Sequence, residues 1–125
     1  MRVVVQRCKN ASVKVNDKII GKIDKGYLLF VGFTNGDNEN VIKKMAKKIV
    51  NLRIFEDKND KMNLSLKEVN ASILSVSQFT LYADTTKGNR PSFINALNPT
   101  EATKLYDIFN QKLSEFVHVE TGIFG

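Results

Sequence analysis

With 125 residues, 42% of them hydrophobic and 26% charged, the chain has material for one apolar core and does not need disulfide or metal staples. Nineteen Lys and Arg against thirteen Asp and Glu leave a net charge of +6, a balance that suits a polyanionic partner better than a cationic one. One cysteine, Cys8, and one histidine, His118, exclude an internal disulfide and a zinc site of clustered Cys and His, and a side-chain nucleophile would depend on that one imidazole.

The opening Met1-Arg2-Val3-Val4-Val5-Gln6-Arg7 breaks its apolar run after three residues, so no signal peptide is expected. No stretch approaches the roughly 18 apolar residues of a membrane span. Together with the lone cysteine, this places the chain in a reducing, cytoplasmic compartment, away from membranes.

In chain order, residues 2–7 alternate apolar and polar with β-branched side chains, the pattern of a strand. Ala11–Val15 alternates again and turns at Asn16-Asp17 into Lys18–Ile23. A second turn at Asp24-Lys25-Gly26 leads to Tyr27–Phe33, whose continuous apolar run reads as a buried strand. Four strands joined by tight turns predict an antiparallel meander. Asp37 or Asn38 can then cap a helix. Val41, Ile42, Met45, Ala46, Ile49 and Val50 recur at helical spacing on one side of it. Lys43, Lys44, Lys47 and Lys48 hold the other side, where like-charged i,i+4 pairs each cost a few tenths of a kcal/mol, about 0.2–0.5. Such a face is either simply solvated or a strip for phosphates, with Lys43 and Lys47 as candidate contacts.

Leu52–Phe55 and Met62–Leu66 read as short strands around a polar turn, and Ala71–Tyr82 as one long strand. A loop over residues 83–98 precedes a strongly punctuated helix, with Asn98 as N-cap, Pro99 at its first position and Glu101 in the capping-box position. Ala102, Leu105, Phe109, Leu113 and Phe116 form its core stripe. With no repeat, low-complexity segment or linker, residues 1–125 make a single α+β domain.

Two segments carry polar chemistry. Ser77-Gln78-Phe79-Thr80 interrupts an apolar strand, and burying its polar side chains is costly unless each finds a partner. It is either a strand end reaching solvent or the wall of a site. In Lys87-Gly88-Asn89-Arg90-Pro91-Ser92-Phe93, Gly88 permits a positive φ and Pro91 holds Arg90 extended. That loop is a rigid surface turn or a pocket wall with Lys87 or Arg90 near a phosphate.

Four co-linear segments, Arg2–Arg7, Asn51–Phe55 with Lys61–Leu64, Val76–Leu81, and Gly88–Phe93, resemble the D-aminoacyl-tRNA deacylase family. The resemblance runs from Met1 to the last residue. It implies a mostly antiparallel, barrel-like sheet flanked by two main helices, assembled as a homodimer with the active site at the interface. It implies hydrolysis of the ester between a D-amino acid, or glycine, and the terminal adenosine of aminoacylated tRNA, without metal or cofactor. Ser77, Gln78, Phe79 and Thr80 would be the catalytic segment, working through the Phe79 backbone N–H and the substrate 2′-OH more than through the Thr80 hydroxyl. Met62, Gly88, Pro91 and Arg7 would help bind substrate, and Lys43, Lys47, Lys87 and Arg90 would meet tRNA phosphates. The scarcity of His and Cys agrees independently, because a substrate hydroxyl with backbone donors needs neither. A non-catalytic nucleic-acid-binding protein on the same fold is the alternative.

The family's C-terminal Asn-x-Gly-Pro-x-Thr, with its cis Gly–Pro bond, is absent from residues 1–125. The two prolines, Pro91 and Pro99, both lack a preceding Gly. The chain therefore reads as a shortened form of a standard deacylase, with its final strands and its D/L selectivity left open.

Overall fold

The first alternating segment forms strand β1 (Arg2–Cys8), and the apolar run after the second turn forms β4 (Gly26–Gly32). These two pair antiparallel from Arg2 opposite Gly32 to Cys8 opposite Gly26. Between them, β2 (Ala11–Val15) and β3 (Lys18–Ile23) pair only with each other, closing on Asn16 and Asp17 at φ 51° and 65°. Two positive φ values make the primed turn that suits a two-residue hairpin. The computed structural model describes residues 1–124.

The four strands are thus not a meander. A strand as apolar as β4 is buried on both faces and needs a partner along each edge. It takes β1 on one edge and β7 (Ser72–Ser77) on the other, leaving the hairpin to fold over the sheet. A Cβ on Gly21 of β3 would lie 2.8 Å from the Thr121 carbonyl oxygen, which shows how closely the hairpin lies against that sheet.

The α+β class with two main helices holds, and the central pairing is mixed. β4 runs parallel to β7, and β7 runs parallel to β8 (Val119–Thr121). Parallel neighbours need a crossover of a dozen or more residues. Both crossovers contain a helix: α1 (Glu39–Asn51) with the small hairpin β5 (Phe55–Glu56) and β6 (Met62–Leu64), then α2 (Pro99–Ser114).

The helix caps follow from the sequence. Asn38 Oδ1 accepts the Val41 N–H at 3.1 Å, and Asn98 Oδ1 accepts the Glu101 N–H at 3.0 Å. Each such cap contributes about 1 kcal/mol relative to alanine. Ile42, Ala46, Ile49 and Val50 of α1 meet Ala102, Tyr106, Phe109 and Leu113 of α2 over Tyr27, Leu29, Val31 and Ile73 of the sheet. Tyr106, not Phe116, completes the stripe on α2. Phe116 lies beyond the helix and is 40% exposed.

Candidate active site

Strand β7 buries Ile73, Leu74 and Ser75 completely and then leaves the core. Its last rung pairs Ser77 with Val31, and the Gln78 N–H donates to the Val31 carbonyl at 2.7 Å. The chain then winds into a 3-10 turn over Phe79–Tyr82 instead of continuing as the expected strand through Tyr82. Strand alternation therefore ends at Gln78, and the Gln78 side-chain amide donates to the Thr80 hydroxyl.

Gly32, at the end of β4, makes room for this turn. A Cβ there would sit 3.0 Å from the Gln78 carbonyl oxygen and 3.1 Å from Leu81 Cβ. Below the turn Tyr82 is buried, with the Arg2 guanidinium 4.5 Å from its ring centroid. Arg2 also donates to the Leu81 carbonyl at 2.8 Å, placing a cation at the turn's C-terminal end.

Beside the turn lies a cavity of about 730 Å³. Ser77, Gln78 and Phe79 form one wall, the ends of β4 (Val31, Gly32, Phe33) the floor, and Phe93 with 96–99 and Ala102 the other wall. Phe124 completes it. Phe79 and Phe93 meet edge to face, centroids 5.0 Å apart at 70°, and remain 55% and 39% exposed. The Leu97 N–H donates to the Phe33 carbonyl at 3.0 Å, and Thr34 bridges to Ala96, so the far wall is tied to the sheet.

None of the residues lining this cavity carries a titratable side chain. At the start of the 3-10 turn, the N–H groups of Phe79 and Thr80 precede the first possible intrahelical bond, the Leu81 N–H to the Gln78 carbonyl. Neither donates to a protein acceptor among the described residues. His118 is not near them. Its carbonyl accepts from Ile73 at the other end of β7, about 20 Å from Phe79 at 3.3 Å per residue, and its ring pairs with Glu120 at 3.0 Å.

The remaining expected site residues lie apart from the cavity within the protomer. Thr80 is exposed, with its hydroxyl engaged by Gln78. Arg7 donates to the Ile54 carbonyl at 2.8 Å and borders a second depression with Cys8, Lys25 and Phe55, at the opposite end of β1. Met62 stands 66% exposed on β6. Lys87, Gly88, Arg90 and Pro91 occupy an exposed loop, closed at its base by paired hydrogen bonds of 2.8 Å between Asp84 and Ser92. Gly88 there adopts φ +146°, as its position in a pinned loop requires. Lys43 and Lys47 lie exposed on α1.

Reading the sequence missed Gly32, Phe93 and Phe124 as parts of the site. Phe93 lies within the segment Gly88–Phe93, but a lone aromatic in a loop does not say what it faces. Burial raises the Cys8 thiol pKa, which disfavours the nucleophilic thiolate, and its Sγ lies 3.5 Å from the Gly26 carbonyl. Hydrogen bonding from Thr86 holds the Asp84 carboxyl below its ordinary range, fixing the loop's base. Among the described residues no group of three or more His, Cys, Asp or Glu side chains is arranged to hold a metal ion.

Residues 4–125 match the family described as D-Tyr-tRNA(Tyr) deacylase. Proteins named D-aminoacyl-tRNA deacylase from Lactobacillus gasseri and Lactobacillus acidophilus are 55% and 56% identical over 126 aligned positions, spanning 100% of this chain and 87% of each relative. A solved structure named c-Myc DNA unwinding element binding protein is similar with a TM-score of 0.94 and 36% identity, over 100% of this chain and 86% of that one. Another, described as a probable eukaryotic D-amino acid tRNA deacylase, has a TM-score of 0.83 at 19% identity over 98% and 88% of the two chains, a likeness in fold.

Proposed function

The chain belongs to the D-Tyr-tRNA(Tyr) deacylase family, and on that premise we propose that the cavity beside Phe79 receives the aminoacylated 3′ end of tRNA. The protein is a D-aminoacyl-tRNA deacylase: it hydrolyses the ester of D-aminoacyl-tRNA to free tRNA and D-amino acid. Glycyl esters fall within the same reading, since a small side chain meets no obstacle in such a cavity.

One observation carries the mechanism. The cavity has aromatic walls and no titratable side chain, and Phe79, one of its lining residues, has a backbone N–H without a protein acceptor among the described residues. Phe79, Phe93 and Phe124 suit a nucleobase, which stacks on aromatic faces with about 1–3 kcal/mol per base. The Phe79 N–H, with that of Thr80 next to it in the turn, would donate to the ester carbonyl oxygen. Water adds to the carbonyl carbon, the oxyanion is held by these donors, and the carbon–oxygen bond to the ribose breaks. The neighbouring ribose 2′-OH orients the water and relays its proton to the departing 3′-oxygen, so no side-chain base is required. A fixed donor at a developing oxyanion contributes about 3 kcal/mol to the transition state.

The assembly belongs to the same proposal: a cytoplasmic homodimer with the site at its interface. Phe79 and Phe93 of the cavity wall and the neighbouring Ile94 are 55%, 39% and 77% exposed, and Met62 on β6 is 66% exposed, large apolar surface that a homodimer would cover. In a dimer Arg7, Met62, Gly88 and Pro91 need not border their own protomer's cavity to act at the site. Lys87 and Arg90, on the loop that follows the catalytic turn, would meet the phosphates of the acceptor end.

A second reading, a nucleic-acid-binding protein without catalysis, is favoured by the name of the similar DNA unwinding element binding protein. Hydrolysis separates the two. D-tyrosyl-tRNA should lose its ester far faster with protein than in buffer, whereas an unchanged rate would leave binding alone. Thr80→Val should retain most of the activity; abolition would return the nucleophile to the Thr80 hydroxyl.

A further inference from the structure

Helix α1 carries four lysines that its fold does not use. Lys43, Lys44, Lys47 and Lys48 are all exposed, while Ile42, Ala46, Ile49 and Val50 hold the buried side. At 3.6 residues per turn the four fall within about 140° of arc. The salt bridges among the described residues join Met1 to Asp37, Lys112 to Glu115 and His118 to Glu120. None reaches the strip. Glu39 is the one carboxylate on the helix, and Asp37 beside its cap is taken by the N-terminal ammonium at 2.8 Å. The strip is thus a surface of four uncompensated cations, kept despite two like-charged i,i+4 pairs that oppose the helix.

Its position relates it to the cavity. Asn38, the cap of α1, follows Phe33 of the cavity floor by five residues, through the turn whose Thr34 bridges to Ala96 of the far wall. From that cap the lysines lie about 7–15 Å along the helix at 1.5 Å per residue. A ligand held at the cavity only by its last nucleotide would not reach them, while the duplex that continues from a tRNA acceptor end would.

Resting on the deacylase reading, we infer that the Lys43-Lys44-Lys47-Lys48 face of α1 is the docking surface for the phosphate backbone of the tRNA body, separate from the cavity that takes the ester. The strip supplies affinity and leaves the chemical step alone, because it touches neither the ester nor the turn that carries Phe79. Binding through it releases counterions, and each neutralised phosphate contributes about 0.7–0.9 to the salt dependence.

The test pairs K43Q/K44Q/K47Q/K48Q with the unaltered protein, folding being verified by far-UV circular dichroism and Tm. Glutamine keeps helix propensity and removes the like-charge repulsion, so the fold is retained. Binding of uncharged tRNA should weaken at least tenfold, and the slope of log affinity against log salt should fall by about 2–4. Equal affinity and an equal slope would overturn the docking surface, whether or not the protein hydrolyses anything. On D-tyrosyl-tRNA the variant should raise KM at least tenfold and leave kcat within twofold. A loss in kcat with unchanged KM would equally overturn it. Hydrolysis of the short ester 3′-O-(D-tyrosyl)adenosine should be alike for the two proteins. Absence of hydrolysis by the unaltered protein on that ester and on D-tyrosyl-tRNA would sink the deacylase reading, while the tRNA-binding comparison would still decide the surface.

Discussion

The two halves of the segment 72–82 differ more than their sequence suggests. Ile73, Leu74 and Ser75 are fully buried between the helices and the β2–β3 hairpin, and they pair with β4 on one side and β8 on the other. Four residues later Phe79 is 55% exposed in a 3-10 turn, held by one backbone bond from Gln78, a missing side chain at Gly32 and a hydrogen bond from Arg2. The first half is over-determined by packing and is paired along both edges, although the buried Ser75 hydroxyl has no hydrogen-bond partner. The second half is fixed at few points and leaves two N–H groups open, which is the condition for a backbone site. One continuous run thus divides into a part that stabilises the molecule and a part that we propose acts on the substrate.

Substitutions should separate the halves. Ile73→Ala deletes a wholly buried side chain beside Tyr27 and should cost about 2–5 kcal/mol, lowering Tm by roughly 10 °C or more. The hydrolysis rate per folded molecule should barely change. A large fall in that rate, measured well below Tm, would show that the two halves are coupled. Gly32→Ala should do the reverse. Its Cβ would press on the Gln78 carbonyl at 3.0 Å and on Leu81, shifting the turn that aims the Phe79 N–H. Activity should fall roughly 10- to 100-fold, mostly in kcat, because small misplacements of catalytic groups are expensive. Thermal stability should move by only a few degrees, and unchanged kcat would mean that the turn does not set the site.

How much of this contrast was legible follows the same division. The strands Ala11–Val15 and Lys18–Ile23 and both asparagine caps stand where the sequence places them. Alternation, turn residues and caps are local, and they act within a few residues. Partner choice is not local. Nothing in Tyr27–Phe33 says that β1 and β7 will flank it, so the expected meander gave way to an antiparallel and a parallel neighbour. The 3-10 turn was hidden because Phe79-Thr80-Leu81-Tyr82 has the aromatic and β-branched residues of a strand. Room for the bend comes from the absence of a side chain at Gly32, 47 positions before Phe79 in the chain. The proposed catalytic segment became recognisable only through its resemblance to a family, and Phe93 and Phe124 join it through tertiary packing alone.

Arg2 tests how few contacts hold the turn. Arg2→Ala removes the 2.8 Å bond to the Leu81 carbonyl and the cation over the Tyr82 ring. A hydrogen bond of this kind is worth about 1 kcal/mol net, so kcat should fall roughly 3- to 10-fold. Lysine should restore little, since it lacks the planar fork that reaches the carbonyl while stacking on the ring. Full recovery in Arg2→Lys would reduce the role of Arg2 to charge.

The smallest effect lies in the buried half and is silent at neutral pH. Tyr27, paired with Ile73 in the sheet, has its phenol pushed up to about 12 by burial, with the Arg7 guanidinium opposing the shift. In the unfolded chain the same phenol ionises near 10. Below that value both states keep the proton and Tyr27 contributes its full stabilisation. Between about 10 and 12 the unfolded chain releases the proton while the folded chain retains it, so stability declines as pH rises through this window. Urea midpoints for the unaltered protein should therefore be level from pH 7 to 9 and fall above 10, and Tyr27→Phe should fall less steeply over the same range. Identical alkaline slopes for the two proteins would move the titration to Tyr82 and Tyr106, whose phenols burial also raises. Hydrolysis should not share this profile between pH 6 and 9, because the cavity wall contains no group that titrates there.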